Sequence, residues 1–219
     1  MALLSGSKKF FLSLLVHRCI GCGSRLEPGT GRFCPWCLVR MYPDGLRMAG
    51  GISVLTGFLH SGVVREMILR LKFGGERHLA GHLARLALDS WEKIPSREDT
   101  VFPVPVSARR LRERGYNQSA LLASAISRET GAVFKDLLVR AGGESQIRVP
   151  GPGRRENIRG KFTVLPETGS HGRFWLIDDV MTTGATITEI VSTLSDAGFR
   201  QVLPAVVCFR KIEVESIVR

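Results

Sequence analysis

The sequence contains few aromatic residues and no long apolar run. Aromatic residues make up 7% of the 219 residues, which argues against a nucleic-acid surface built on stacked bases. No apolar stretch reaches the ~20 residues that a membrane-spanning helix requires. The motif G-x-x-x-x-G-K-[ST] is missing, as is G-x-G-x-x-G after a first strand, which excludes a Walker loop and a Rossmann fingerprint. We predict a cytoplasmic protein with no transmembrane segment.

The N-terminal stretch KKFFLSLLVHRC has a basic start followed by a short apolar run. No small-residue cleavage site follows it, and Arg18 stands directly before Cys19, where a lipoprotein signal would have small residues. We therefore predict an amphipathic helix packed on the protein, with a weak signal peptide as the alternative.

Positive charge is in excess. Lys and Arg number 31 and Asp and Glu number 20, which gives a formal net charge of +11. This balance favours polyanionic partners, either nucleic acid or a small ligand with several phosphates, and a basic solvated surface is the alternative. Two segments, SARRLRERG and RRENIRGK, concentrate the basic residues Arg109, Arg110, Arg112, Arg114, Arg154, Arg155, Arg159 and Lys161.

Four of the five cysteines form two closely spaced pairs. A Cys-x-x-Cys turn aims two thiolates at one point, and two such turns suit tetrahedral zinc. Two disulfides or a redox-active CPWC motif are the alternatives. Disulfides fit poorly with a chain that has no convincing export signal, and a redox motif normally stands alone. We predict structural Zn²⁺ held by Cys19, Cys22, Cys34 and Cys37, and a buried strand position for Cys208.

Apolar periodicity divides the chain into a small module, residues 1–45, and an α/β domain, residues 46–219. In the larger domain strands alternate with helices, which indicates a mainly parallel sheet. The predicted strands are 52–60 (a strand or hairpin), VFPVPV, AVFKDLLVR (mixed strand and turn), 174–178 and QVLPAVVCF. Four helices are predicted. The first has a buried face made of Val63, Val64, Met67, Ile68 and Leu71, and the others lie at about 77–91, in QSALLASAIS and at about 185–197. A basic loop is predicted at SARRLRERG and a long mobile loop at 141–160.

The segment FWLIDDVMTTGAT (174–186) joins two adjacent acids to a hydroxyl-rich turn at the end of an apolar strand. Ligands of open α/β sheets bind beyond the carboxyl ends of the strands, and the helix start after the turn offers N–H groups that suit a phosphate. The acids would repel a phosphate unless they face sugar hydroxyls or Mg²⁺. A ribose 5-phosphate satisfies both requirements. The alternative, a helix capped by one Asp, leaves the second acid without a role.

The stretch LIDDVMTTGAT resembles the phosphoribosyl-pyrophosphate (PRPP) binding motif of type I phosphoribosyltransferases. Four further segments are similar to one branch of that group, the ComF/GntX family: the four-cysteine N terminus, LRLKFGGERHLA, PVPVSARRLRERGYNQSALLA and RRENIRGKF. The resemblance therefore covers almost the whole chain. It implies an amidophosphoribosyltransferase-like α/β fold, the type I phosphoribosyltransferase fold, with a zinc-ribbon-like module. One departure is GESQ (143–146), where a Thr-Pro-Gln-like stretch is expected.

The resemblance also implies a role for each part of the site. Asp178 and Asp179, the implied catalytic pair, would hold the ribose hydroxyls. The implied phosphate-binding residues are Met181, Thr182, Thr183, Gly184, Ala185 and Thr186. The implied pyrophosphate and flexible-loop residues are Val106, Ser107, Arg109, Arg114, Asn117, Gln146 and Arg155. Mg²⁺ would be held by pyrophosphate, ribose hydroxyls and water.

Three side chains keep two interpretations each. Asn117 and Gln118 either cap the start of a helix or contact the ligand. Lys72, at the end of a helix, either interacts with the helix dipole or reaches the site. The five histidines show no metal-ligand spacing, so no role is assigned to them.

The resemblance leads to two functional hypotheses. The first is a Mg²⁺-dependent protein that binds PRPP or a related ribose phosphate and transfers phosphoribose to a nitrogenous acceptor, with release of pyrophosphate. The second is a non-catalytic adaptor in DNA uptake and natural transformation, which uses the same pocket for a nucleotide or single-stranded DNA and contacts DNA-uptake proteins. In both hypotheses the protein could form a homo-oligomer, and the sequence does not decide this. A zinc-ribbon DNA-binding module with an inert body is a third hypothesis, but it leaves the acids and the threonine loop unexplained.

Overall fold

The computed structural model describes residues 18–27, 31–140, 161–166 and 172–211. The predicted N-terminal helix and the predicted mobile loop at 141–160 lie outside these residues. Within the described ranges, no helix combines the length and apolar composition needed to cross a membrane. The elements, in chain order, are α1 (Pro35–Leu38), β1 (Leu46–Ala49), β2 (Ile52–Leu59), α2 (Gly62–Phe73), α3 (Leu79–Ser90), β3 (Thr100–Pro103), α4 (Ala108–Arg114), α5 (Gln118–Thr130), β4 (Val133–Phe134), β5 (Leu138–Arg140), β6 (Phe162–Val164), β7 (Phe174–Met181), α6 (Ala185–Asp196) and β8 (Val202–Phe209).

Six strands form the central sheet in the order β1-β2-β8-β7-β3-β4. Neighbouring strands are parallel except β1 and β2, which form an antiparallel hairpin. The last of the described strands, β8, therefore lies in the middle of the sheet. A separate antiparallel pair consists of β5 and β6. The predicted α/β domain with a mainly parallel sheet is confirmed, as is the strand or hairpin at 52–60.

The central strands are apolar because helices cover both faces of the sheet. Side chains of α2, α3 and α5 share one apolar core with one face, and those of α6 share a second core with the other. Parallel strands buried on both faces favour continuous apolar runs, as the sequences of β7 and β8 show. Cys208 is fully buried in β8, as predicted.

The predicted apolar faces of the helices are the ones that pack. On α2, the five residues Val63, Val64, Met67, Ile68 and Leu71 are all buried. The predicted helix near 77–91 is α3, and Trp91, just after its end, is also buried, with its indole N–H donating to the Val206 carbonyl at 3.2 Å. Residues three and four positions apart share one side of a helix, so this spacing was sufficient to identify the packed side.

The segment predicted as a basic loop, SARRLRERG, is largely helical. Ser107 caps the first turn of α4, because its Oγ accepts from the backbone N–H of Arg110 at 3.3 Å. Gly115 ends the helix in the left-handed conformation, at φ 77°. The prediction of a loop was wrong because arginine, leucine and glutamate favour helices as well as exposed surfaces.

The strand that carries the two acids extends beyond its predicted end at 178. In β7, Asp178 pairs with Val206 and Val180 with Cys208, and the strand ends at Met181. Both acids therefore belong to the strand itself, which fixes their backbone positions. The following helix, α6, ends at Asp196, and Gly198 follows it in a left-handed conformation.

The four-cysteine module packs directly on α2. Cys19 and Cys37 belong to the same apolar core as the buried face of that helix. Arg70 of α2 donates to the carbonyl oxygens of Ile20 and Gly21 at 3.0 and 2.9 Å. The first cysteine turn is thus fastened to a helix of the larger domain. A domain boundary at residue 45 stays a prediction.

Candidate functional site

A cleft of about 420 Å³ opens where β2, β3, β7 and β8 end. Parallel strands place their carboxyl ends at one edge of the sheet, so the segments that follow them converge there. Helices α2, α4 and α5 complete the walls. The residues lining the cleft include Asp178, Asp179, Thr182 and Thr186 from the predicted motif, and Lys72, Arg110, Arg114, Asn117 and Ser119 from the helices.

The hydroxyl-rich turn after β7 forms a small cavity at one end of the cleft. This cavity, about 60 Å³, is surrounded by residues 180–187 and by Asp178. Gly184 adopts φ 77° and immediately precedes the twelve-residue helix α6, whose first N–H groups have no partner within the helix. Such amides, with nearby threonine hydroxyls, suit an anion. All six predicted phosphate-binding residues, 181–186, surround this cavity.

Asp178 lies deep in the cleft, with part of its surface open to the cavity. Its Oδ1 accepts from the hydroxyl of Ser119 at 2.7 Å and from the backbone N–H of Asp179 at 2.9 Å. Burial, together with the neighbouring charge of Asp179, raises the pKa of Asp178 to about 7. The carboxyl group therefore changes charge near neutral pH.

Asp179 has a different environment. It is only 3% exposed, and its Oδ2 lies 2.5 Å from the ammonium nitrogen of Lys72. No described group meets hydrogen-bond geometry at that oxygen, so the contact is mainly electrostatic. The sequence had left Lys72 between a helix-dipole role and a role in the site, and the structure places it in the cleft.

Arginine side chains also contribute to the wall of the cleft. Arg110 and Arg114 of α4 line the cleft. Arg114 donates to Oε1 of the buried Gln118 at 3.0 Å, and its guanidinium carbon lies 4.9 Å from the ring centre of Phe73. Phe73 is 70% exposed although it lies at the cleft. Gln118 therefore holds one arginine against the ring.

The predicted pyrophosphate and flexible-loop residues are only partly brought together. Val106, Arg114 and Asn117 line the cleft. Ser107 caps α4, and Arg109 is 76% exposed and lies 3.5 Å from Glu113. Gln146 and Arg155 lie outside the described residues.

Asn117 caps α5 and lines the cleft at the same time. Its Oδ1 accepts from the N–H of Ser119 at 3.0 Å, and its Nδ2 donates to the Val104 carbonyl at 3.0 Å. Both interpretations that the sequence had allowed for this residue are therefore compatible with its position. The side chain also ties the segment after β3 to the start of α5.

Sequence reasoning missed His60, Phe73, Arg140 and Arg210, which also line the cleft. Burial, followed by the positive charges of Lys72 and Arg210, lowers the pKa of His60. These residues lie far apart in the sequence. Phe73 belongs to the segment LRLKFGGERHLA, and the other three belong to no motif that we identified. The position of His60 at the end of a predicted strand, and of Arg210 just after another, could have indicated those two.

The four N-terminal cysteines form one compact cluster. Their sulfur atoms all lie within 4.8 Å of one another, and Cys22 and Cys34 are separated by 3.7 Å. A tetrahedral zinc site with ~2.3 Å bonds has sulfur–sulfur edges of about 3.8 Å, so the geometry fits a metal such as zinc. Hydrogen bonds from Ser24 lower the pKa of Cys22 to about 6, which favours the thiolate form that binds metals.

Sequence comparison finds relatives whose names refer to competence or to DNA utilization. No family model matches the chain. Competence protein ComFC of Bacillus subtilis (strain 168) is 26% identical over 198 residues, which cover 82% of this chain and 78% of that protein. DNA utilization protein YhgH of Salmonella typhi is 33% identical over 139 residues, covering 58% of this chain and 59% of that protein. Competence protein F of Haemophilus influenzae is 28% identical over 148 residues, covering 62% and 63%.

Two of the solved structures that match are enzymes with a partial likeness to this chain. The allosteric regulatory enzyme of purine biosynthesis matches 61% of this chain and 25% of that chain, with a TM-score of 0.39 and 20% identity. A hypoxanthine phosphoribosyltransferase from Staphylococcus aureus matches 65% and 75%, with a TM-score of 0.32 and 14% identity. The likeness in both cases is partial, and the fold of the present chain is defined by its own sheet topology.

The sequence relatives agree with the resemblance that the motifs indicated. The alignments span just under three fifths of the YhgH protein and more than three quarters of ComFC. The present chain also has a mainly parallel α/β sheet and an N-terminal four-cysteine cluster. It is therefore a relative of the ComF-type competence and DNA-utilization proteins.

Proposed function

We propose that the cleft binds a ribose 5-phosphate unit, with PRPP as the complete ligand, and that the protein is a Mg²⁺-dependent member of the phosphoribosyltransferase group. The observation that carries this proposal is that Asp178 borders both the anion-sized cavity at the start of α6 and the larger cleft. A phosphate requires N–H and hydroxyl donors, whereas sugar hydroxyls require an acceptor such as a carboxylate. One ligand that carries both groups accounts for both features.

The ligand would extend from the small cavity across the cleft. Residues 181–186 would hold the 5′-phosphate, and Asp178 would accept hydrogen bonds from the ribose hydroxyls. The pyrophosphate would face Arg110 and Arg114, with the backbone at Val106 beside it. This arrangement pairs each part of the ligand with a suitable group of the cleft: neutral donors with the phosphate, an acid with the ribose hydroxyls, and guanidinium groups with the pyrophosphate.

The acids of the cleft do not suit direct coordination of Mg²⁺. Asp178 accepts from Ser119, and Asp179 lies against Lys72. Mg²⁺ dehydrates reluctantly and is commonly held through phosphates and water, so it would accompany PRPP. The chemistry that it supplies there is neutralisation of charge on the pyrophosphate.

Phosphoribosyl transfer would require little covalent participation by the protein. The bond between C1′ and a pyrophosphate oxygen breaks, and a bond between C1′ and the acceptor nitrogen forms. The hydroxyl-rich turn and Asp178 would position the ribose, and Arg110 and Arg114 would stabilise the negative charge on the departing group. Enclosure of the site would keep water from replacing the acceptor.

We propose that the cysteine cluster holds Zn²⁺ in a structural role. Four thiolates complete a tetrahedral shell, which leaves no position open for substrate. The cluster also packs within the core that contains α2, so the ion would stabilise the surface on which that helix lies.

Calorimetric titration of PRPP with Mg²⁺ tests the proposed ligand. The parent protein should bind, and Asp178→Asn should lose binding while it remains folded. Asp196→Asn is a matched control, because Asp196 is exposed at the end of α6, away from the cleft lining. A parent protein that does not bind PRPP would overturn the proposal. Pyrophosphate release with a panel of nitrogenous bases would then test transfer itself.

A second candidate function, a DNA-uptake adaptor, is favoured by the names of the relatives and by two further arginines. Arg140 and Arg210 line the same cleft, beyond the groups needed for ribose 5-phosphate. In this role the pocket would hold a nucleotide or the backbone of single-stranded DNA. Binding to a single-stranded oligonucleotide should then weaken steeply as salt is added, and PRPP should compete with it. No binding at low salt would exclude direct contact with DNA.

A further inference from the structure

We infer that Lys72 is a positioning residue that keeps Asp179 as an internal anion and leaves Asp178 as the acid that meets the ligand. The inference rests on the proposed ribose 5-phosphate site. It refines that site by giving two adjacent and chemically identical residues different roles.

The two acids differ in how far they are open to the cleft. Asp179 is 3% exposed, and its Oδ2 is in contact with the Lys72 ammonium group, which is itself 18% exposed. Asp178 is partly open, and the two hydrogen bonds that fix it, from Ser119 and from the backbone of Asp179, both go to Oδ1. A ligand hydroxyl therefore reaches Asp178 more directly than Asp179.

Replacement of Lys72 by a ligand hydroxyl at Asp179 would be unfavourable. An ion pair that is shielded from water loses most of its stabilising interaction when one partner leaves, because the remaining charge is left without solvent. A sugar hydroxyl is neutral and cannot compensate the Asp179 charge as an ammonium ion does. Asp179 should therefore stay with Lys72 when the ligand binds.

Contacts made by the two residues before Lys72 hold its section of α2 in place. Two residues earlier, Arg70 donates to the carbonyls of Ile20 and Gly21 and pairs with Glu76 at 2.6 Å. One residue earlier, the Leu71 carbonyl accepts from the hydroxyl of Tyr116. The backbone that carries Lys72 is therefore fastened to the cysteine module and to the segment before α5, which directs the side chain toward Asp179.

Several other groups face the acids, and Lys72 is in direct contact with Asp179. Ser119 approaches from α5, and Cys208 from β8, with its Sγ 3.7 Å from the Asp179 carbonyl oxygen. His60 and Arg210 lie at the ends of β2 and β8 and line the same cleft. Loss of the Lys72 charge should therefore change the protonation of the acidic pair even with these groups present.

A double-mutant cycle tests the contact without any ligand. Thermal unfolding is measured for Lys72→Met, Asp179→Asn and the double variant, with Lys93→Met, an exposed lysine after α3, as the control. Lys72→Met should lower Tm because it leaves Asp179 unpaired, and adding Asp179→Asn should restore most of the loss. Losses that simply add in the double variant would overturn the inference.

Binding of ribose 5-phosphate across neutral pH tests the division of roles. Asp178→Asn should abolish binding, whereas the double variant should retain it. Lys72→Met should move the binding midpoint to higher pH, because the Lys72 charge lowers the pKa of Asp178, and affinity below that midpoint should fall. A purely structural lysine would lower Tm without moving the midpoint. Equal loss of binding in Asp178→Asn and in the double variant would overturn the inference. If the parent binds no ribose 5-phosphate, the proposed function fails, and the unfolding cycle still decides whether Lys72 holds Asp179.

Discussion

Gly184 and Ala49 lie so close together that a β-carbon at position 184 would overlap the β-carbon of Ala49. Gly184 also adopts φ 77°, a left-handed conformation that other residues rarely take. The proposed phosphate cavity thus depends on contact between the end of the β1 strand and the turn before α6. The antiparallel hairpin of β1 and β2 supports the site although it supplies no predicted ligand.

Gly184→Ala should therefore lower stability and abolish ribose 5-phosphate binding. The left-handed conformation alone costs about 1–2 kcal/mol for a residue with a β-carbon, and the overlap with Ala49 adds to it. Gly51→Ala is a matched control, because Gly51 has φ 83° but open space around it. Urea unfolding and calorimetry give the two readouts. Normal ligand binding by Gly184→Ala would contradict the proposed position of the phosphate.

Asp178→Asn should raise stability above neutral pH while it removes ligand binding. The folded-state pKa of Asp178 is raised to about 7, so protonation of this group favours the fold at low pH, and that contribution is lost as pH rises through about 7. An amide at this position carries no charge at any pH. Melting temperatures measured from acid to alkaline pH should show a gain that is absent below the usual pKa of 3.8, grows from there to about pH 7 and stays constant above it. A lower Tm than the parent above pH 7 would contradict this expectation.

Asp99→Asn should destabilise the opposite end of the sheet. Burial alone would raise the pKa of Asp99, but hydrogen bonds from Arg173, Ser96 and Trp175 outweigh it and lower this pKa to about 2. At pH values above its usual pKa of 3.8, the carboxylate thus contributes about 2 kcal/mol to the free energy of unfolding. This contribution is lost as the pH falls from 3.8 through about 2.

Urea unfolding at neutral and acidic pH measures that contribution. The difference between Asp99→Asn and the parent should shrink as the solution is acidified. Asp196→Asn, at an exposed aspartate, should change stability little at either pH. A difference that does not depend on pH would mean that the side chain acts through packing rather than through its charge.

Removal of the metal ion should destabilise the whole chain rather than the module alone. The cysteine cluster shares its core with α2, and binding energy of a structural metal contributes directly to folding. The purified protein should contain about one zinc per chain, and Cys34→Ser should lower both zinc content and Tm. Cys208→Ala, outside the cluster, should keep the metal. Elemental analysis and calorimetry decide the outcome, and full zinc content in Cys34→Ser would contradict the assignment.

Local patterns predicted the parts of the fold that depend on neighbouring residues. The buried face of α2 followed from the spacing of its apolar residues, and the cysteine cluster followed from two short turns. The segment SARRLRERG was the main failure, because its charges resemble those of a loop and its capping residues, Ser107 and Gly115, were not recognised.

Contacts between distant residues could not be predicted in the same way. Lys72 and Asp179 meet only because β8 and β2 bring α2 over the end of β7. Nothing in the sequence around either residue indicates the other. The same holds for Arg114 and Phe73, and for His60, whose surroundings come from three separate segments. Motifs therefore indicated the turn that would hold a phosphate and some residues of the cleft, such as Arg114 and Asn117, but not the contacts between side chains from distant segments.

The central position of β8 also has a consequence for biosynthesis. The ribosome releases β1, β2 and the first helices early, but their parallel partner in the sheet, β8, is made after all the other described strands. Until residue 209 has emerged, the N-terminal strands and the β7–β3–β4 strands have no shared neighbour among the described strands. Such long-range pairing makes folding slow. The nascent chain must therefore carry two unfinished halves, each with an unpaired strand edge, until β8 joins them.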